Sequence, residues 1–142
     1  MADVIFTGFK NQLLQAGINL NTTDTIKLAL CTSSYTPNQD THLTFNQVTN
    51  EVSNANYTAG GATLSTHSVA PDNTNHRSIF NCSVNVTWPN VTLTARYGVL
   101  YKSSGNNNTS PLICVFDFGA DKTASGGTFE VDWNAVGICA LT

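Results

Sequence analysis

Apolar and polar residues alternate along most of this 142-residue chain. Ile26, Leu28 and Leu30 alternate with Lys27, Ala29 and Cys31. Phe80, Cys82, Val84, Val86 and Trp88 alternate with Asn81, Ser83, Asn85 and Thr87, the clearest such run. Val91, Leu93, Ala95, Tyr97, Val99 and Tyr101 do the same with Thr92, Thr94, Arg96 and Gly98. Successive side chains of a strand face opposite ways, so period two predicts half-buried strands. Pro89-Asn90, between the last two runs, is a turn signal and predicts a hairpin. Leu112 to Phe118 lacks clean alternation and predicts a strand covered on both faces. Phe129, Val131 and Trp133 form a further alternating strand, and an apolar run from Val136 to Leu141 follows. Breaks are expected at Pro37–Asp40, Pro71–Asn73, Gly105–Asn108 and Ser125–Gly127.

Only the start of the chain carries the helical period. Ile5, Phe9, Leu13 and Ala16 recur at helical spacing, Asp3 can cap the first amides, and Gly17 permits a stop. A helix is therefore expected over 3–17, although Thr7 and Gly8 are poor helix formers. Its stripe Ile5, Phe9 and Leu13 must face either the chain's own sheet or a neighbouring subunit. From Tyr35 to Ala55, Leu43, Phe45, Val48 and Val52 stand among polar residues and read as a long loop with one short element, a length often tied to function. Six or seven strands separated by turn signals predict an all-β fold, a β sandwich or small barrel of jelly-roll-like kind, with one short N-terminal helix. The length suits a single domain over 1–142, with the β body at 25–141 and the long loop at about 35–55.

Composition narrows the function classes. Charged residues make up 11% of the chain, against about 25% in ordinary soluble proteins, and the formal charge is −3. Thr, Asn and Ser supply 48 of 142 residues, so hydroxyls and amides hydrate the surface. Six scattered Lys/Arg do not make the patch that neutralises phosphates, which argues against nucleic acid. The longest unbroken apolar stretch, Leu112 to Phe116, is far short of a membrane-spanning helix. Asp3 stands where a signal peptide carries Lys or Arg, so synthesis is expected in the cytoplasm. Cys31, Cys82, Cys114 and Cys139 are 51, 32 and 25 residues apart, each in an apolar run and none in a CxxC pair. Buried reduced thiols are expected, and no metal site.

Candidate chemistry is sparse. His42, His67 and His76 lie at no metal-ligand spacing, and no Gly-x-Ser-x-Gly elbow is present. Asp117, Asp121, Glu130 and Asp132 are close in sequence, but Glu130 and Asp132 share one side of a strand, as on a solvated face. Gly60-Gly61 and Gly126-Gly127 lack the Lys-Ser/Thr of a phosphate loop and read as tight turns or bulges. Asn-x-Ser/Thr triplets are expected by chance in so Asn- and Thr-rich a chain. Trp88, Tyr97, Tyr101 and Trp133 could line a sugar-binding groove, but their period-two spacing favours the core. No catalytic residue, cofactor or metal ligand is assigned.

An ordered set of short signatures adds to this. Tyr57-Thr58-Ala59-Gly60-Gly61-Ala62-Thr63-Leu64 precedes Val86-Thr87-Trp88 and the run from Thr92 to Tyr101. Pro111-Leu112-Ile113, Asp117-Phe118-Gly119, Gly127-Thr128-Phe129 and Trp133 to Ile138 follow. Over about residues 26–141 this order resembles small virion structural proteins of tailed bacteriophages, met as capsid decoration (cement) proteins or unassigned head and tail proteins. The resemblance implies a β-rich, non-enzymatic virion component assembled in the host cytoplasm. Its partners would be the major capsid protein and itself, with a homotrimer expected. A cement protein needs an apolar element that docks and weak contacts multiplied by avidity. Candidate interface residues are Ile5, Phe9 and Leu13 on the helix and Leu43, Phe45 and Val48 in the long loop. A tail-associated component, a carbohydrate-binding β module and a small hydrolase are the competing readings.

Overall fold

The computed structural model describes residues 2–21 and 23–142; Met1 and Thr22, which fall inside the expected single domain, lie outside the described residues. The elements are β1 (Val4–Ile5), α1 (Thr7–Leu14), β2 (Ile26–Cys31), β3 (Ala62–Thr63), β4 (His67–Asp72), β5 (Arg77–Cys82), β6 (Val86–Lys102), β7 (Leu112–Val131) and β8 (Cys139–Leu141), with 3-10 turns at Phe45–Gln47 and Asn107–Thr109. They form two antiparallel sheets, ordered β1-β7-β6-β2-β3 and β4-β5-β8. The fold is all-β with one short helix, and the sheets stay open, so it is not a closed barrel. One apolar core serves both sheets. It runs from Phe6 and Phe9 through Leu28, Leu30, Val99, Leu112 and Ile113 to Phe80 and Ile138.

The centre of the molecule is the β6–β7 hairpin. Its closed end pairs Tyr101 with Leu112, and its far end pairs Val86 with Val131. β2 covers the outer edge of β6 only over Tyr97–Lys102. Beyond that point β6 and β7 continue as a two-stranded ribbon whose inner residues Val91, Leu93, Ala95, Ala124 and Phe129 are buried. Both strands are interrupted internally. Pro89-Asn90 lies inside β6 as a bulge, with Asn90 left-handed (φ 54°), and the register shifts between Trp88 and Val91. Gly126 (φ 65°) sits at a second shift, where Val91 faces Gly127 and Thr92 faces Ser125. A third separates Tyr97↔Asp117 from Ala95↔Lys122. There Arg96 holds the Asp117 carboxylate through Nε and Nη2, the latter at 2.9 Å.

Several expectations change accordingly. The helix does not span 3–17: Asp3 is no cap but accepts the Asp117 N–H at 2.7 Å, and Ile5 pairs with Cys114 across β1. The run Phe80–Trp88 is two strands in different sheets, because the chain leaves β5 at Ser83 and enters β6 at Val86. Pro89-Asn90 closes no hairpin, and Phe129 and Val131 are the end of β7 rather than a separate strand. Of the run Leu112–Phe118 expected to be covered on both faces, Leu112–Phe116 is buried, whereas Asp117 and Phe118 are only half-buried.

The long loop is held by side chains. Asn50 Nδ2 donates to the Ser34 carbonyl at 3.1 Å, Asn54 Nδ2 to Thr92 at 2.9 Å, and Asn56 Nδ2 to Asn90 at 2.8 Å. The last two satisfy carbonyls of β6 where β2 no longer reaches. Glu51 anchors the following turn: its Oε1 accepts the Tyr57 hydroxyl (2.8 Å) and the Gly60 N–H (2.6 Å). Tyr57 in turn accepts the Leu30 N–H at 2.9 Å, and Tyr101 donates to the Gly60 carbonyl at 2.8 Å. Burial, then the Glu51 charge, holds the Tyr57 hydroxyl far above its ordinary range and pushes the Cys31 thiol up to about 12.

Candidate interface surface

Helix α1 is two turns long and rests on β7 through Phe9, which is fully buried. Phe9 is the one fully buried residue of the helix, and Leu13 packs partly against the same core. The last turn of the helix presents Leu13, half-buried, and Leu14, 90% exposed. Across a groove of about 640 Å³ from Leu13 lie Leu20, Val69, Phe80 and Leu141. A second hollow of about 460 Å³ continues past Leu14, lined by Ile5, Lys10, Leu13 and Leu141. Together they make an apolar ridge and trough between α1 and the small sheet. Val69, 42% exposed, lies on the edge strand β4, where Pro71 lacks the N–H another strand would need.

On another side α1 meets the long loop at Gly8. A β-carbon there would stand 3.0 Å from Leu43 Cδ2, so the glycine that weakens the helix is what lets Leu43 lie against it. Leu43 remains 51% exposed. The 3-10 turn after it is fixed by Gln47, whose Oε1 accepts the Leu43 and Thr44 amides at 2.6 and 3.0 Å. That turn swings Phe45 inward onto the Tyr101 ring, with centroids 4.0 Å apart.

The six expected interface residues therefore part company. Phe9 and Phe45 belong to the chain's own core and are corrected to structural residues. Val48, Ile5 and Leu13 are all partly buried against that core. Ile5 and Leu13 edge the trough, and Leu43 stands apart from it beside Gly8. Leu14, Leu141 and Val69 were not foreseen. The adjacent pair Leu13-Leu14 was the available signal: a helix beginning at Thr7 ends on both.

Of the residues weighed for chemistry, some are held by other contacts and some are exposed. The Tyr35 hydroxyl and His42 Nδ1 are 3.1 Å apart and their rings stack. His67 Nδ1 lies 2.8 Å from the Leu20 carbonyl, an acceptor, so that nitrogen carries the proton. His76 is exposed in the β4–β5 turn. Arg96 holds the Asp117 carboxyl below its ordinary range, helped by the Gly119 N–H. Glu130 and Asp132 are exposed. Among the described residues no three His, Cys, Asp or Glu side chains converge as a metal-holding group. Trp88 is buried between Tyr57 and Phe129. Trp133 is half-buried against Phe116 and donates to the Val84 carbonyl at 3.1 Å. Among the described residues no helix is long and apolar enough to cross a membrane.

No family model, no curated protein and no solved structure matches the chain. The resemblance to phage virion proteins thus rests on the ordered signatures alone.

Proposed function

We propose that this chain is a non-enzymatic capsid decoration (cement) protein of a tailed bacteriophage, binding the major capsid protein as a homotrimer. The supporting observation is where the signature residues meet. Tyr57 packs on Trp88, Tyr101 bonds to Gly60, and Arg96 holds Asp117. Signatures far apart in sequence thus pack against one another within one core, which supports reading them as parts of a scaffold. Outside it, the surface is mostly hydroxyl and amide, with the apolar ridge at Leu13, Leu14 and Leu141 as docking element. Low charge suits many copies side by side, because like-charge repulsion stays small. Each contact can be weak if a particle offers many.

Quantitative mass spectrometry of gradient-purified particles tests this. A fixed ratio to the major capsid protein, at hundreds of copies per particle, is expected. A handful of copies would move the protein to the tail, and its absence from particles would overturn the reading. A sugar-binding module is less well supported, because of its four candidate rings Trp88 and Tyr101 are buried and Tyr97 and Trp133 are half-buried.

A further inference from the structure

The end of β7 and the turn after it frame a hollow against the N-terminal segment. It is about 260 Å³ in volume, and Phe116, Phe118 and Trp133 line it together with Asp3, Asp117 and Asp132. It shares no lining residue with the groove and hollow beside α1. Its rings are held in place. Trp133 packs on Phe116 with centroids 5.6 Å apart, its backbone N–H donates to Asn85 Oδ1 at 3.4 Å, and its indole N–H donates to the Val84 carbonyl at 3.1 Å. With both donors taken, Trp133 has only its π surface left to offer. Phe118 rests on Phe129, centroids 6.3 Å apart, and both Trp133 and Phe118 stay half-buried, so each is partly open to solvent.

The three carboxylates differ in what they have left. Asp117 spends both oxygens on Arg96. Asp3 is exposed and anchored through Oδ2, which accepts the Asp117 N–H at 2.7 Å, and Asp132 is exposed. Among the described residues the ion pairs are Arg77–Asp72, Arg96–Asp117 and Lys102–Asp24, so neither Asp3 nor Asp132 is paired with a cation. The hollow thus sets two uncompensated negative charges beside aromatic surface.

We propose that this hollow receives an arginine side chain of another protein. A guanidinium is planar and delocalised, stacks on ring faces and forks onto carboxylates, the two kinds of surface present here. A lysine ammonium is more strongly hydrated and loses more on leaving water for a ring face. The arginine must come from a different protein, because both arginines of this chain, Arg77 and Arg96, are already held in ion pairs. The fixed rings and the anchored Asp3 leave little to order on binding. One such contact is weak and adds specificity more than affinity. The inference does not rest on the proposed function, since the chemistry is the same whichever protein presents the arginine.

The test titrates N-acetyl-arginine methylamide into the 15N-labelled full-length chain at low salt, followed by proton–nitrogen correlation spectra. The Trp133 indole signal and the Asp3, Asp132 and Trp133 amides should shift together and saturate at millimolar probe. The neutral citrulline analogue should move none of them, and added salt should weaken the arginine response. Asp132→Asn changes an exposed side chain, so it should keep the fold and bind about two- to fivefold more weakly. No saturable shift at these signals, equal shifts with the citrulline analogue, or undiminished binding by Asp132→Asn would overturn the site. Shifts of the same signals on diluting the chain alone would give the hollow to a second copy and overturn the assignment to another protein.

Discussion

At Gly61 the space for a side chain is already taken. An added β-carbon would lie 1.8 Å from the Leu28 carbonyl oxygen, and the backbone is left-handed at φ 73°. Gly105 has a similar φ of 83° but open space around it. Both Ala variants carry the left-handed penalty, about 1 kcal/mol, but only Gly61→Ala also displaces a strand. Urea midpoints should show Gly105→Ala losing about 1 kcal/mol and Gly61→Ala at least about 3 kcal/mol. Equal losses would show that β3 shifts freely against β2. Tyr57 makes a complementary case. Tyr57→Phe keeps the packing on Trp88 but strips the acceptor from the buried Leu30 N–H and a donor from Glu51. A loss of roughly 1–3 kcal/mol is expected in the same experiment.

Among the elements, β6 shows most clearly what the amino-acid pattern carries and what it leaves out. Period two marked Val86–Trp88 and Val91–Tyr101 as extended, and both are. It could not say that Phe80–Cys82 belongs to another sheet, because alternation continues through the crossover at Ser83–Asn85 and contains no pairing information. Nor could it show that Pro89-Asn90 is a bulge. A turn signal is local, and the partner strand β7, some 40 residues on, overrides it. At α1 the spacing of Ile5 from Phe9 suited a helix, yet the Cys114 partner draws Ile5 into a strand. The candidate residues divide by burial in a way their spacing did not carry: Phe9 and Phe45 are core, Ile5, Leu13 and Val48 are partly buried against it, and of the six only Leu43 is largely exposed. The Asn-rich composition acquires a structural use only when Asn54 and Asn56 are seen bonding to β6 carbonyls. Replacing both by Ala should cost about 1–2 kcal/mol in the urea midpoint, more than either alone, if they act as a surrogate strand.

The bulge opposite Arg96 has a pH signature. Asp117 has a lowered pKa in the folded chain, so its contribution is fully present above the unfolded carboxylate value near ~3.9 and is lost as pH falls through the folded value. Asp117→Asn should therefore be less stable than wild type at pH 7, and the gap should close in more acid solution. A gap that persists below pH ~2 would assign the effect to geometry rather than charge.

For the molecule as a whole, the question is which exposed apolar residues serve a partner and which are incidental. Leu14 and Leu43 both project from the α1 region but on separate surfaces, one at the groove and one at the loop. Because Leu14 is 90% exposed, Leu14→Glu removes almost no internal packing, and its urea midpoint should stay within about 0.5 kcal/mol of wild type. Phe9→Ala, by contrast, opens a cavity in the shared core and should cost about 3–5 kcal/mol. If the ridge docks onto a shell, Leu14→Glu buries an unpaired carboxylate at the contact. Retention on particles stripped of the chain and re-incubated with it should then drop about tenfold or more in co-sedimentation. Leu43→Glu should bind nearly as wild type. The reverse pattern would put the docking surface at the long loop, and undiminished retention of both variants would mean that the polar faces of the sheets make the contact.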